Sequence, residues 1–179
     1  MAEAGSLLAT VDEWDDIVDE WFDQLRGNPV FDRVFYAASE LADHSRLWHL
    51  LATGRAAASL RAEPAAIRLV VALAIESGLV NGVVKSIFNR SRPIISQERP
   101  LRLRIPRTSS FPSGHASAAA MSAVLLADKS RIGLAYKAAA AVVSVSRVHV
   151  RIHHASDIAG GAVVGAALGA LVKRVAPLR

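Results

Sequence analysis

The 179-residue sequence contains no cysteine, so it can form no disulfide framework and gives no indication of redox compartment. Aromatic residues are scarce, at 6% of a chain that is 52% hydrophobic. The apolar stretches therefore consist mainly of Ala, Val, Leu and Gly, which suit closely packed helices, especially in lipid. The N-terminus lacks a basic segment followed by an apolar one, so we expect no secretory signal. This length predicts a single domain.

Positive charge is absent from the first 25 residues, which carry eight acidic side chains and a net charge of −8. Residues 26–179 carry all 21 Lys and Arg against eight acids, a net charge of +13. This basic part fits an anionic ligand and a phospholipid surface. Nucleic-acid binding is the competing explanation, but apolar stretches separate the basic clusters. We therefore expect no nucleic-acid partner.

The acidic segment has the pattern of an amphipathic helix. Its apolar residues recur at spacings of three and four: Val11, Trp14, Val18, Trp21 and Leu25. Acidic side chains would be repelled by an anionic membrane, so we expect this helix, within residues 1–28, to pack on the basic part of the chain. Asn28-Pro29 is expected to end it. A second, more polar helical stretch is predicted over residues 30–53, ending at Gly54.

Four apolar helices are predicted after this point, at residues 64–86, 112–127, 131–147 and 155–173. Only the first approaches the ~20 residues that a membrane span needs, although shorter helices can cross a thin bilayer when Lys and Arg flank them. The expected fold is an all-α membrane helical bundle, with about four apolar core helices and the amphipathic and polar N-terminal helices beside them. Glycines at four-residue intervals, at 78 and 82 and at 161, 165 and 169, predict close helix packing within one chain.

Three polar clusters interrupt the apolar stretches. They contain Lys85, Arg90 and Arg92; Ser113, Gly114 and His115; and Arg147, His153 and Asp157. Each cluster alone has an ordinary structural explanation: a basic cap on an apolar helix, a capped turn, or a pair on a helix surface. However, each cluster adjoins the end of an apolar helix, and alternating up-and-down helices would bring all three to the same end of a bundle.

Together these side chains could support phosphoryl transfer. Three cations can neutralise a phosphoryl group, one His can attack phosphorus, and a second His can protonate the leaving oxygen. His153 and Asp157 are four residues apart, so on a helix the carboxylate can reach the imidazole ring and orient it. The sequence has no cysteine ligand and no His-Glu-x-x-His motif, so we expect no metal site and no cofactor.

The order, spacing and identities of these residues resemble the three-part signature of the type 2 phosphatidic acid phosphatase (PAP2) superfamily. The resemblance implies that residues 29–179 form a PAP2-like phosphatase domain. It implies that His153 is the nucleophile, Asp157 its orienting acid and His115 the general acid. It also implies that phosphate is bound by Lys85, Arg92, Ser113, Gly114 and Arg147. Arg90 belongs to a variant that is frequent in the lipid-phosphatase branch, and it is a candidate substrate contact.

The function that this resemblance implies is that of an integral membrane lipid phosphatase. It would hydrolyse a (poly)prenyl or phospholipid phosphomonoester or diphosphate through phosphohistidine, in a multi-pass plasma-membrane protein with an extracytoplasmic site. Compact size and the Arg-x-Arg-Pro variant resemble small bacterial polyprenyl-phosphate phosphatases. Two alternatives stay open: a soluble PAP2-type acid phosphatase or vanadium haloperoxidase-like enzyme, and a catalytically silent lipid-binding or scaffold protein. The sequence does not indicate the oligomeric state.

The remaining polar residues receive structural predictions. His149 is expected in a solvated loop, and His44 and His49 are expected to be structural. Glu76 lies in an apolar helix, where an isolated carboxylate is costly, so we expect it to be neutral or paired with a cation such as Lys137. The basic loop 94–111 is as compatible with head-group binding as with plain solvation.

Overall fold

The computed structural model describes residues 2–94, 99–127 and 131–178, with side chains described from residue 9 onwards. These residues form helices and loops without a β-strand, which confirms the all-α prediction. The helices are α1 (Ala2–Asp23), α2 (Pro29–Leu41), α3 (Arg46–Ala58), α4 (Glu63–Ser77), α5 (Lys85–Ile87), α6 (Gly114–Leu126), α7 (Arg131–His149) and α8 (Ala155–Val175).

Within the described residues, two helices are long and apolar enough to cross a membrane. The first, Leu60–Ile87, joins α4 to α5 through a π-helical segment, Gly78–Val84, and the second is α8. Only 28% of the residues in the most apolar part of each are buried inside the protein. Most of their apolar surface therefore faces outward, as the surface of a lipid-exposed helix does.

Helix α6 lies at the centre of the bundle and packs against α4, α7 and α8. Its approach to α8 depends on the α8 glycines that the sequence analysis identified. A methyl group at Gly161 would lie 2.3 Å from the carbonyl oxygen of Ser113, and one at Gly165 would lie 2.0 Å from that of Ser117. Only glycine permits such close backbones. The predicted close packing within one chain is therefore observed for α8.

The glycines at 78 and 82 behave differently. A methyl group at either position would meet no described atom within 4 Å. The prediction of close packing within the chain is wrong for these two residues, because their face of the π-helical segment points away from the bundle.

The second helical stretch is not one helix, as predicted, but two. Residues Asp43–Ser45 form a 3₁₀ turn between α2 and α3, with His44 and Ser45 at positive φ. The expected stop at Gly54 is also wrong, since α3 continues to Ala58. A glycine inside a helix costs about 1 kcal/mol relative to alanine, which the burial of Trp48 and Ala52 in the same helix offsets.

Helix α1 packs on α7 and α8, which confirms that the acidic helix lies against the basic part of the chain. Phe22 is buried there, whereas Trp14 and Trp21 remain exposed. The helix ends at Asp23, before the predicted boundary. Asn28 instead caps the start of α2: its side-chain oxygen accepts a hydrogen bond of 2.9 Å from the backbone N–H of Val30.

Candidate active site

The three polar clusters meet at one end of the bundle, as their positions relative to the apolar helices predict. Lys85 begins α5, His115 lies in the first turn of α6 and Arg147 in the last turn of α7. His153 lies in the loop before α8, and Asp157 lies in the first turn of that helix. A cavity of about 300 Å³ opens here. Its lining includes Asp43, Glu76, Asn81, Lys85, Arg104, Gly114, His115 and His153.

His153 and Asp157 form a buried pair. Both side chains are at most 2% exposed, and His153 Nδ1 lies 3.4 Å from Asp157 Oδ2. The same carboxylate oxygen accepts a hydrogen bond of 2.9 Å from the backbone N–H of His154, which holds it in place. Burial lowers the pKa of His153 to about 3; the pairing with Asp157 opposes this shift, and the positive charges of Arg147 and Arg92 add to it. The imidazole is therefore neutral near pH 7, the form that can act as a nucleophile.

His115 has a separate carboxylate partner, Asp43, which the sequence analysis missed. His115 Nε2 lies 3.0 Å from Asp43 Oδ1, although the two residues are 72 positions apart. Burial tends to raise the pKa of Asp43, but the hydrogen bond from His115 and the nearby positive charges outweigh this effect and lower it. Asp43 is therefore an anion that orients His115. No local spacing signals this pair, because the two residues are far apart in the chain. Asp43 also lies in a 3₁₀ turn where the sequence predicted a continuous helix.

The three predicted phosphate-binding cations surround the two histidines. Lys85 and Arg147 are buried. Arg92 is fixed by hydrogen bonds to the carbonyl oxygens of Pro106 and Ile152, at 3.1 and 2.8 Å, and its guanidinium lies 3.3 Å from His153 Nε2. Arg147 bonds the Ser39 hydroxyl, while its buried Nε and second terminal nitrogen have no partner among the described residues. Buried donors of this kind suit phosphate oxygens.

The N-terminus of α6 supplies the second cluster. Ser113 is fully buried, and its hydroxyl oxygen accepts a hydrogen bond of 3.4 Å from the backbone N–H of Ala116, so it caps the helix. A methyl group at Gly114 would lie 2.8 Å from Asn81 Oδ1. Free backbone N–H groups at such a helix start can bind an anion. Phosphate binding by Ser113 and Gly114 stays a prediction.

Comparison with protein families identifies the chain. Residues 65–179, well over half of the sequence, match the PAP2 superfamily. This chain belongs to the PAP2 superfamily. The resemblance drawn from the polar clusters is thereby confirmed, and α1, α2 and α3 precede the matched region. No curated protein matches the sequence.

Two crystal structures resemble this PAP2 protein. One is the transmembrane PAP2 type phosphatidylglycerolphosphate phosphatase from Bacillus subtilis, with a TM-score of 0.67 and 22% identity, over 95% of this chain and 90% of that one. The other is LpxE from Aquifex aeolicus, with a TM-score of 0.58 and 23% identity, over 87% of this chain and 93% of that one. At such identities the likeness shows a shared fold.

Arg90, the candidate substrate contact, points into a cluster of carboxylates. Its guanidinium bonds Asp157 Oδ1 at 3.0 Å and Asp15 Oδ2 at 2.6 Å. The cavity of the PAP2 protein is lined instead by Arg104, which also lies 2.6 Å from His44 Nε2. Arg104 belongs to the basic loop 94–111, of which residues 95–98 lie outside the described part of the chain.

The structure corrects the partner or the environment predicted for two side chains outside the signature. His149 is buried, not solvated: α7 extends to include it, its Nε2 lies 2.8 Å from Asp32 Oδ1, and the ring of Phe35 packs 4.6 Å away. Glu76 is 2% exposed and lines the cavity. It interacts with a cation, as the prediction allowed, but that cation is Lys85 and not the suggested Lys137. Helix packing, which the sequence pattern does not specify, determines both pairings.

No group of three or more His, Asp or Glu side chains that could hold a metal ion occurs within residues 2–94, 99–127 and 131–178. Metal-independent catalysis stays a prediction.

Proposed function

We propose that this protein is an integral membrane phosphatase that hydrolyses a lipid phosphate through a phosphohistidine intermediate. The observation that carries the proposal is the arrangement of His153. This buried, neutral imidazole faces the cavity, has Asp157 behind it and Arg92 beside it, and shares the cavity with Lys85 and His115. Such an arrangement combines a nucleophile, an acid and the cations that phosphoryl transfer needs.

In the first step, His153 Nε2 attacks phosphorus while the bond from phosphorus to the leaving oxygen breaks. Arg92, Arg147 and Lys85 neutralise the charge on the phosphoryl oxygens. His115 donates a proton to the leaving oxygen. Burial lowers the pKa of His115 to about 4, so its imidazolium is the minor form near pH 7, and Asp43 stabilises that form before the transfer. Asp157 lies 3.4 Å from the other ring nitrogen of His153 and stabilises the positive charge that develops on that ring.

In the second step, water replaces the lipid alcohol or lipid phosphate that has left. His115, now neutral, accepts a proton from a water molecule while the oxygen of that water attacks phosphorus. The bond between phosphorus and His153 breaks, and inorganic phosphate is released. The same residue thus acts first as acid and then as base.

A lipid substrate is supported by the outward-facing apolar surface of the two long helices, beside which an acyl or prenyl chain can lie. The name of the Bacillus subtilis relative, a phosphatidylglycerolphosphate phosphatase, also supports a lipid phosphate. We propose a (poly)prenyl or phospholipid phosphomonoester or diphosphate as substrate, in a multi-pass plasma-membrane protein with an extracytoplasmic site. The apolar outer surface favours this function over that of a soluble acid phosphatase.

The proposal is tested on the full chain purified in detergent. Phosphate release is measured with prenyl phosphates, prenyl diphosphates, phosphatidic acid and phosphatidylglycerophosphate. His153→Ala should abolish turnover, while His49→Ala, a histidine of α3, is the matched control. Radiolabelled substrate should leave an acid-labile, alkali-stable label on the protein, as expected of phosphohistidine. A label that withstands acid, or full activity in His153→Ala, would show that His153 is not the nucleophile.

A further inference from the structure

One carboxylate of the acidic helix α1 is buried, although its neighbours are exposed. Asp15 is 3% exposed, whereas Asp12 and Asp16 on the same helix face solvent. Asp15 also lies outside the residues that match the PAP2 superfamily. Burying a carboxylate is costly unless it is paired and hydrogen-bonded, so its partners indicate what it does.

Asp15 bonds the first turn of α8. Its Oδ1 accepts a hydrogen bond of 2.7 Å from the backbone N–H of Ser156, and its Oδ2 accepts one of 2.6 Å from the Ser156 hydroxyl. The first N–H groups of a helix have no partner within that helix, and a negative charge near them is favourable. Asp15 therefore fixes the turn of α8 that carries Asp157.

Asp15 is also joined to Asp157 through Arg90. One terminal nitrogen of Arg90 bonds Asp15 at 2.6 Å and the exposed Asp12 at 3.2 Å. The other bonds Asp157 Oδ1 at 3.0 Å and the Ser156 hydroxyl at 2.5 Å. Asp157 thus has one oxygen on Arg90 and the other towards His153. The planar fork of Arg holds both carboxylates at fixed positions, as a Lys could not.

The charges of this cluster matter for the nucleophile. Arg90 alone beside Asp157 would offset the negative charge that stabilises positive His153 during attack on phosphorus. Asp15 compensates the charge of Arg90, so Asp157 continues to act as an anion towards the imidazole.

We propose that Asp15 and Arg90 are positioning residues for the catalytic pair His153 and Asp157, so that the acidic helix α1 is part of the active-site structure. This inference rests on the proposed function. A helix from outside the matched family region thereby sets the orientation and charge of the acid behind the nucleophile.

The alternative is that α1 only stabilises the fold and has no effect on the catalytic pair. The helix makes other ion pairs that could do so: Asp23 bonds Arg26 at 2.6 Å and Arg151 at 2.5 Å. These contacts involve neither Asp157 nor His153. Asp23→Asn is therefore the matched control, since it removes ion pairs of the same helix away from the catalytic pair.

The experiment compares Asp15→Asn, Arg90→Gln, their double variant and Asp23→Asn in the full chain in detergent. Steady-state kinetics give kcat and KM, and rapid quenching with radiolabelled substrate gives the rate at which the protein is labelled. We expect Asp15→Asn and Arg90→Gln each to lower kcat and the labelling rate by roughly ten- to a hundredfold, by analogy with the loss of a group that orients a metal-bound His. KM should change by less than about threefold, because the phosphate-binding cations are untouched.

The double variant shows whether Asp15 and Arg90 act together on the catalytic pair or contribute independently to kcat. If Asp15 acts through Arg90, the double variant should be no slower than Arg90→Gln alone, whereas independent effects would multiply. Asp23→Asn should keep the wild-type kcat. The inference would be overturned if Asp15→Asn had the same kcat as Asp23→Asn. It would also be overturned if the fall in kcat of Asp15→Asn were fully explained by a smaller fraction of folded protein.

If Asp15→Asn does not fold, Arg90→Lys provides the test, because it keeps the positive charge and removes the planar fork that bonds both Asp15 and Asp157. A fall in kcat at unchanged KM supports positioning, and an unchanged kcat overturns it. Failure of the proposed function is distinguishable: full activity in His153→Ala contradicts that function whatever the Asp15 variants do.

Discussion

At the scale of single residues, the site contains two imidazoles, each facing its own carboxylate. His153 faces Asp157 within one segment of chain, and His115 faces Asp43 across the bundle. This separation permits different roles, because each acid can stabilise the charge of its own ring at a different moment of the reaction.

Asp43→Asn should impair the general acid. Without the anion, the His115 imidazolium is less stable, so protonation of the leaving oxygen slows, and we expect kcat to fall by roughly tenfold or more. A nitrophenyl phosphate needs little protonation, so the rate of its first step should be partly preserved. The measurement is the ratio of rates for the lipid and nitrophenyl substrates in both enzymes. An equal loss with both substrates would contradict this role.

The pKa of His153 predicts a pH effect on stability. It is lowered to about 3 in the folded protein, against about 6.5 in an unfolded chain. Between these values the unfolded chain binds a proton that the folded protein does not, so the residue lowers the unfolding free energy as pH falls from 6.5 towards 3. His153→Asn, which cannot titrate, should lose less thermal stability over this range. Melting temperatures in detergent across the window test this, and parallel curves for both proteins would contradict it.

At the scale of helices, the close contact of α6 with α8 depends on glycines, which have no side chain. Gly165→Ala places a methyl group 2.0 Å from the Ser117 carbonyl oxygen, so the helices must separate. We expect a loss of about 1–3 kcal/mol in unfolding free energy, as in other overpacked interiors. Gly78→Ala is the control, because its methyl group meets no described atom within 4 Å. Gly165→Ala should unfold at a lower temperature than Gly78→Ala. Equal melting temperatures would show that α6 and α8 move apart without loss of stability.

At the scale of the whole molecule, the fold gathers three cations from separate segments around the two histidines. Lys85, Arg92 and Arg147 supply the positive charge that a bound metal ion supplies in many phosphoryl-transfer enzymes. Activity should therefore survive EDTA. Orthovanadate should inhibit, since a five-coordinate adduct on His153 would resemble the transition state. Activity that is lost in EDTA and restored by Mg²⁺ would contradict the metal-free assignment.

The sequence by itself determined the family, the all-α class and the end of the bundle at which the polar clusters meet. These features depend on local patterns: apolar stretches of helical length, and the four-residue spacing of His153 and Asp157. The two side chains do meet, although His153 lies in the loop before α8 and not on the helix. The α8 glycines likewise indicated close helix packing in advance.

Only the tertiary structure decided which distant residues support the histidines. Asp43 and His115 are 72 positions apart, Asp15 and Arg90 are 75 apart, and Asp32 and His149 are 117 apart. No periodicity links such pairs, because their contact depends on how α1, α2 and the 3₁₀ turn pack on α6, α7 and α8. The hydrophobic pattern predicts which face of a helix is buried. Whether a carboxylate contacts a particular partner depends on the register in which two helices pack.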